Sequence, residues 1–157
     1  MIFKLTFGCS RIWGSLILHV KIWMSTQVWR FAYEENSLKY VLESEIATFP
    51  GFNPLGEGRH NSVESIVSDM KVGAVIILAN FNIIDSSATV RAAGKVKDIR
   101  NDSIYVEWKK IIPSLSLHPH KIGAKQWEKE SVFLINPQRV RDFKLDRLIK
   151  KCFPVSL

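Results

Sequence analysis

The chain has 157 residues, which suits one domain, and its 46% hydrophobic content with a mean hydropathy of +0.02 excludes a disordered chain. Its two cysteines, Cys9 and Cys152, show no CxxC or Cys/His ligand spacing, so a disulfide framework and a structural zinc site are excluded and a cytoplasmic location is expected. The net charge of +7 is uneven, with an acidic stretch over residues 33–70 and a basic one over residues 109–157, the footprint of a protein that meets a polyanion.

Residues 1–23 are basic and apolar, but Arg11, His19 and Lys21 break the apolar runs well short of the roughly 20 residues a spanning helix needs. No small-residue cleavage site follows, so neither a signal peptide nor a membrane anchor is expected. Met24-Ser-Thr-Gln followed by Val28-Trp29-Arg30-Phe31 reads as an ordinary start leading into a strand. Residues 1–23 are therefore expected to be a loosely attached leader or a mis-assigned start, and residues 24–157 a single domain.

Val28–Tyr33 alternates bulky and polar residues and predicts a first strand. Leu38, Val41, Leu42 and Ile46 recur at helical spacing, so Ser37–Ile46 is predicted as a helix with Asn36 or Ser37 as its cap. Proline and glycine recur too often from Phe49 to Gly58 for regular structure, which predicts a loop bearing aromatic residues. Asn61 or Ser62 then opens a helix to Met70, with Val63, Ile66, Val67 and Met70 on one face. Lys71-Val72-Gly73 turns the chain into a buried strand over Ala74–Ala79.

Ala88–Ile99 is the next expected strand, and its Ala92-Ala93-Gly94 stretch permits close approach of another group. Asn101-Asp102 predicts a tight turn into a strand over Ser103–Ile112, on which Ile104, Val106 and Trp108 share one face and Tyr105, Glu107 and Lys109 the other. Pro113–Gly123 reads as a second loop, Val132–Ile135 as a short strand closed by Asn136-Pro137, and Phe143–Cys152 as a basic helix. The expected class is α+β: a curved, mainly antiparallel sheet or barrel flanked by helices.

Enzyme signatures are absent. The chain carries no P-loop, GxSxG, HExxH or GxGxxG, so no catalytic residue and no cofactor is expected. Asp98, Glu107 and Lys109 superficially resemble a metal-dependent nuclease set, but strand alternation splits them and hairpin charge pairing is the expected role. His118-Pro119-His120 offers two imidazoles with no third ligand nearby, so no metal is expected either.

The run Arg59-His60-Asn61-Ser62 through Met70-Lys71-Val72-Gly73, the Ala92-Ala93-Gly94-Lys95-Val96 stretch, and Val106-Glu107-Trp108 together resemble the EVE branch of the PUA-like superfamily, related to YTH domains. They are also similar to the N-terminal reader domains of modification-dependent restriction systems of the McrB and Mrr kind. Val28-Trp29 and the loop Gly51-Phe52-Asn53-Pro54-Leu55-Gly56 match the opening strand and the Gly-Trp-x-x-Leu-Gly loop of those domains, with Phe52 in place of the loop tryptophan. Ala74 likewise replaces the aspartate usual after Met-Lys-Val-Gly.

The resemblance implies a small EVE/PUA-like domain that takes a flipped, methylated base between aromatic side chains, in a restriction or defence context. Trp29, Phe52 and Trp108 are then the candidate walls, each base–aromatic stack being worth about 1–3 kcal/mol. Arg59 and Asn61 would contact a phosphate or base edge from a helix N-terminus, and Lys109 and Lys110 would neutralise backbone phosphates. The implied partner is nucleic acid, with DNA favoured over RNA, beside a nuclease or motor protein that acts on what is read. An RNA-binding PUA-like module, and a small-molecule or protein-interaction domain with core aromatics, are the alternative readings.

Overall fold

The computed structural model describes residues 26–51, 55–56, 58–119 and 121–155. Residues 1–23 and Phe52, on which two of the expectations fall, lie outside the described residues.

Five strands form one mixed sheet in the order β4-β3-β2-β1-β5: β1 Val28–Phe31, β2 Val75–Asn82, β3 Ser87–Arg100, β4 Ser103–Leu117 and β5 Val132–Leu134. Only β1 and β2 run parallel, while the other three neighbouring pairs are antiparallel. The described helices are α1 Leu38–Glu43, α2 Val63–Asp69, α3 Lys121–Lys129, α4 Pro137–Asp142 and α5 Leu145–Cys152. The α+β class with a mainly antiparallel sheet is what the patterning predicted, but the sheet is open and the barrel alternative is not what forms.

The physical reason is that other backbone occupies both sheet edges. On β4, Val106 N–H donates to Glu45 O at 2.7 Å and Ala47 N–H to Ile104 O at 2.9 Å. On β5, Val132 N–H donates to Leu55 O at 2.7 Å. Glu45 and Ala47 at one edge and Leu55 at the other thus satisfy edge groups that closure would have used.

Both faces of the sheet are covered. Trp29, Phe31, Ile76, Leu78, Val96, Ile104 and Val106 pack with Val41 of α1 and Ile66 and Val67 of α2. Alternation sends Val28, Val75, Ile77, Val90 and Ile111 to the opposite face, under Trp127 of α3 and Leu145 and Ile149 of α5. Ser62 caps α2, its hydroxyl accepting from Ser65 N–H while the Ser65 hydroxyl accepts from Ser62 N–H, a capping box with serine at both positions. Asn101 and Asp102 take φ of 49° and 61°, the left-handed pair of the predicted tight turn.

The chain departs from expectation beyond Ile112. β4 continues to Leu117, with a register shift opposite Val90–Ala92 that accommodates Pro113, and a helix over Lys121–Lys129 takes the end of the loop expected over Pro113–Gly123 and residues to which no element was assigned. Asn136 does not simply close a strand, since its side chain accepts from Gln138 N–H and caps α4, with Pro137 in the first turn.

Gly94 on β3 lies opposite Trp108 on β4. A methyl group there would come within 2.3 Å of Val106 Cγ1 and 2.5 Å of the Trp108 ring, contacts neither side chain can relieve freely. Gly94→Ala is therefore expected to destabilise the protein by about 1–3 kcal/mol through overpacking, read as a lowered urea midpoint with an unchanged slope.

Candidate functional site

The parallel pairing of β1 with β2 ends at Phe31 and Leu78, and the chain beyond β1 together with the last residues of β2 walls a concavity of about 550 Å³. Its apolar surfaces include Tyr33, Phe81, Ile83 and Trp127, and its polar ones Arg30, Asn80, Glu34, Glu35 and Glu128.

Arg30 is the unusual residue here, a cation only 3% exposed. It follows Trp29 on β1, so alternation turns it to the face that α3 covers. Its Nε donates to Ala79 O at 2.9 Å, and its Nη1 donates to Trp127 O at 3.4 Å and to Glu130 O. The last two carbonyls belong to the end of α3, where a cation also meets the negative pole of the helix. The guanidinium lies 5.2 Å from the Trp127 ring centroid and 5.7 Å from that of Phe133. Burial pulls its pKa down, against the field of Glu130.

Asn80 holds the other side of the concavity in place. Its Oδ1 accepts from Tyr33 N–H at 3.0 Å and its Nδ2 donates to Tyr33 O at 2.8 Å, so a side chain continues the β1–β2 pairing past the strand end. Glu35 is paired to Arg91 at 3.0 Å. Burial, followed by the negative field of Glu35, pushes the Tyr33 hydroxyl up to about 12, with Arg91 opposing.

A raised acid pKa means that the fold prefers neutral Tyr33. Its contribution is complete below the ordinary tyrosine pKa of about 10 and is lost as pH climbs through about 12. Arg30 opens no second window, because a guanidinium that donates to three carbonyls keeps its proton over this range. Tyr33→Phe should remove the tyrosine contribution. Urea midpoints measured from about pH 9 to about 12 are expected to fall less steeply in the variant.

The candidates read from sequence do not converge on this concavity. Trp29 is 0% exposed within the core, its ring edge-on to His60 at 4.8 Å and its Nε1 donating to Gln27 Oε1 at 3.3 Å. Trp108 is half-buried and lines a separate cleft of about 420 Å³ with Tyr105, Lys97 and residues 42–45. Its indole N–H is buried with no acceptor among the described residues.

Arg59 lies in a 3-10 turn before α2, and its guanidinium reaches Asp69 at the C-terminal end of that helix, at 2.6 Å. His60 Nε2 meets the other oxygen of Asp69 at 2.8 Å. Asn61 is exposed just ahead of the Ser62 cap. Arg59 thus clamps the helix end rather than presenting itself at the N-terminus.

Lys109 and Lys110 are exposed on β4, opposite Ala93 and Ala92. Lys109 and Lys97 flank Glu107 at 3.3 and 2.8 Å, the hairpin charge pairing expected of these residues, and their hydrogen bonds hold the Glu107 carboxyl below its usual range. The Cys152 thiol, raised by burial, feels both Lys151 and Lys109, which brings the basic end of α5 alongside β4.

Arg30, Tyr33, Asn80, Phe81 and Trp127 were therefore not identified from sequence. Trp127 had a signal, since Ala124 and Trp127 are spaced by a helical turn in a charged segment that also contains Gly123. Arg30 had only its place between Trp29 and Phe31.

The chain matches no protein-family model, no curated protein and no solved structure. Among the described residues, no helix is long and apolar enough to cross a membrane, and no group of three or more His, Cys, Asp or Glu side chains is placed to hold a metal ion.

Proposed function

We propose that the protein is a non-catalytic nucleic-acid reader that captures one base in the concavity between the end of β1 and the last residues of β2, in the manner of the EVE/PUA-like domains its sequence resembles. One observation carries this reading: a single concavity of about 550 Å³ combines aromatic surface from Tyr33, Phe81 and Trp127 with hydrogen-bonding groups held by their own partners. Rigid aromatic faces and a few fixed polar groups are what a pocket needs to recover the cost of unstacking a base.

Phe81 is the half-buried ring and the best placed to stack. Glu34, Glu35 and Glu128 at the mouth accept hydrogen bonds, which favours a base edge rich in donors, such as the exocyclic amine of cytosine or adenine. The acidic mouth also argues that phosphates are held elsewhere. Lys109 and Lys110 lie on β4, three strand spacings or roughly 14 Å from β1, and suit the flanking backbone rather than the captured base.

A restriction or defence context, with a separate nuclease or motor protein, follows from the resemblance alone. The reading is tested by titrating the full chain with plain, methylated and hydroxymethylated DNA and with RNA of the same sequence, at several salt concentrations. Preference for one base form, retained as salt rises, is the expected result. Preference for RNA would move the ligand to the alternative class, and equal, weak, salt-sensitive binding to every form would leave only a basic surface.

A further inference from the structure

The hairpin joining β2 and β3 ends in Asn82-Ile83-Ile84-Asp85-Ser86, and its two isoleucines are turned outward, Ile83 65% exposed and Ile84 96% exposed. Turns favour glycine, asparagine, aspartate and serine because those residues accommodate the backbone and satisfy its polar groups. Consecutive branched apolar residues at such a tip lose burial with no conformational return, which sets them apart from isolated exposed apolar side chains. The tip is also held firmly by its own side chains. Ile84 N–H donates to Asn82 Oδ1 at 2.9 Å, while Asp85 Oδ1 accepts from Ser87 N–H at 3.1 Å and Ser87 Oγ at 2.6 Å. The one acid at the tip is thereby drawn back toward the strand.

Ile83 also lines the concavity that holds Arg30, Asn80, Phe81 and Trp127. We infer that this hairpin tip is a wedge, with Ile84 entering the base stack of a duplex at the position the captured base leaves. The inference rests on the reading of the concavity as a base pocket. A base that leaves a duplex exposes the apolar faces of its two neighbours, and a rigid aliphatic side chain beside the pocket covers them, as apolar wedges do in proteins that unstack DNA. The partner is therefore double-stranded nucleic acid at the moment of opening, with the pocket and the tip acting on the same step from its two sides.

Ile84→Ser changes a side chain that is almost wholly exposed and leaves the Asn82–Ile84 main-chain hydrogen bond intact, so folding should be unaffected. The DNA oligonucleotide that binds best among plain, methylated and hydroxymethylated forms is presented as a single strand, as a full duplex, and as a duplex with an abasic site opposite the target. For Ile84→Ser, affinity for the full duplex is expected to fall about tenfold or more, while affinity for the other two forms stays within about twofold. Ile84→Phe, which keeps an apolar wedge, should retain duplex binding. Unchanged duplex affinity in Ile84→Ser, or an equal loss for all three forms, would overturn the wedge alone. A wild-type protein that binds none of the forms would overturn the base pocket and the wedge together.

Discussion

Arg30→Ala is expected to destabilise the protein by about 3 kcal/mol, the largest stability effect of any single change considered. Three main-chain carbonyls, of Ala79, Trp127 and Glu130, would lose the donor that a guanidinium only 3% exposed now supplies. The packing of the guanidinium against Trp127 and Phe133 would go with them. Part of the loss is offset, because burial already penalises the charged guanidinium, as its lowered pKa records. Arg30→Met keeps the stem packed and should lose less, while Arg30→Lys keeps a charge but cannot reach three acceptors in the same fork geometry. Urea unfolding curves compared at neutral pH check the order wild type, Met, Ala. An alanine variant as stable as the wild type would mean that the arginine does not hold α3 against the sheet.

Phe81→Ala is expected to have the largest effect on binding. Loss of one base–aromatic stack of about 1–3 kcal/mol corresponds to roughly a 5- to 150-fold weaker complex with the preferred oligonucleotide. Phe81 is half-buried near the end of β2 and packs at the margin of the core, so the cost to stability should be small beside that of Arg30→Ala. Phe81→Trp supplies another aromatic face and should restore binding. Fluorescence anisotropy titrations of the three proteins, with thermal melts in parallel, separate a lost stack from a lost fold.

The two predictions fall on residues that pattern reading passed over, and the reasons are physical. Strand alternation placed Trp29 and Arg30 on opposite faces, and that much holds. A polar residue on an alternating strand ordinarily faces water, but here α3 covers that face and turns Arg30 into an internal tie. The covering helix itself was hard to read, because Gly123 interrupts it and the preceding His118-Pro119-His120 looks like a loop. Without α3 there was no reason to single out Trp127.

Elements with strong local signals were legible. The Ser62 cap, the helix to Asp69, the Asn101-Asp102 turn and the basic C-terminal helix each carry their instruction in adjacent residues. The edge pairing of Glu45–Ala47 with β4 and of Leu55 with β5 has no such local mark, and it is what leaves the sheet open. Trp29 and Trp108 are candidate walls only through the motifs that resemble EVE/PUA-like domains, but tryptophan on a strand with covered faces is usually core. Trp29 follows that rule fully, and Trp108 follows it in part, seated over Gly94 beside its own cleft.

The most direct measurement of the base pocket is a heteronuclear NMR titration of the full chain with the preferred oligonucleotide, following side-chain N–H signals. The indole N–H of Trp127, the amide of Asn80 and the guanidinium Nε–H of Arg30 should all shift together and saturate at one-to-one stoichiometry, while the buried Trp29 indole stays in place. Shifts confined to β4 and α5 around Lys109, Lys110 and Lys151, with the Trp127, Asn80 and Arg30 signals unmoved, would contradict a base in the concavity.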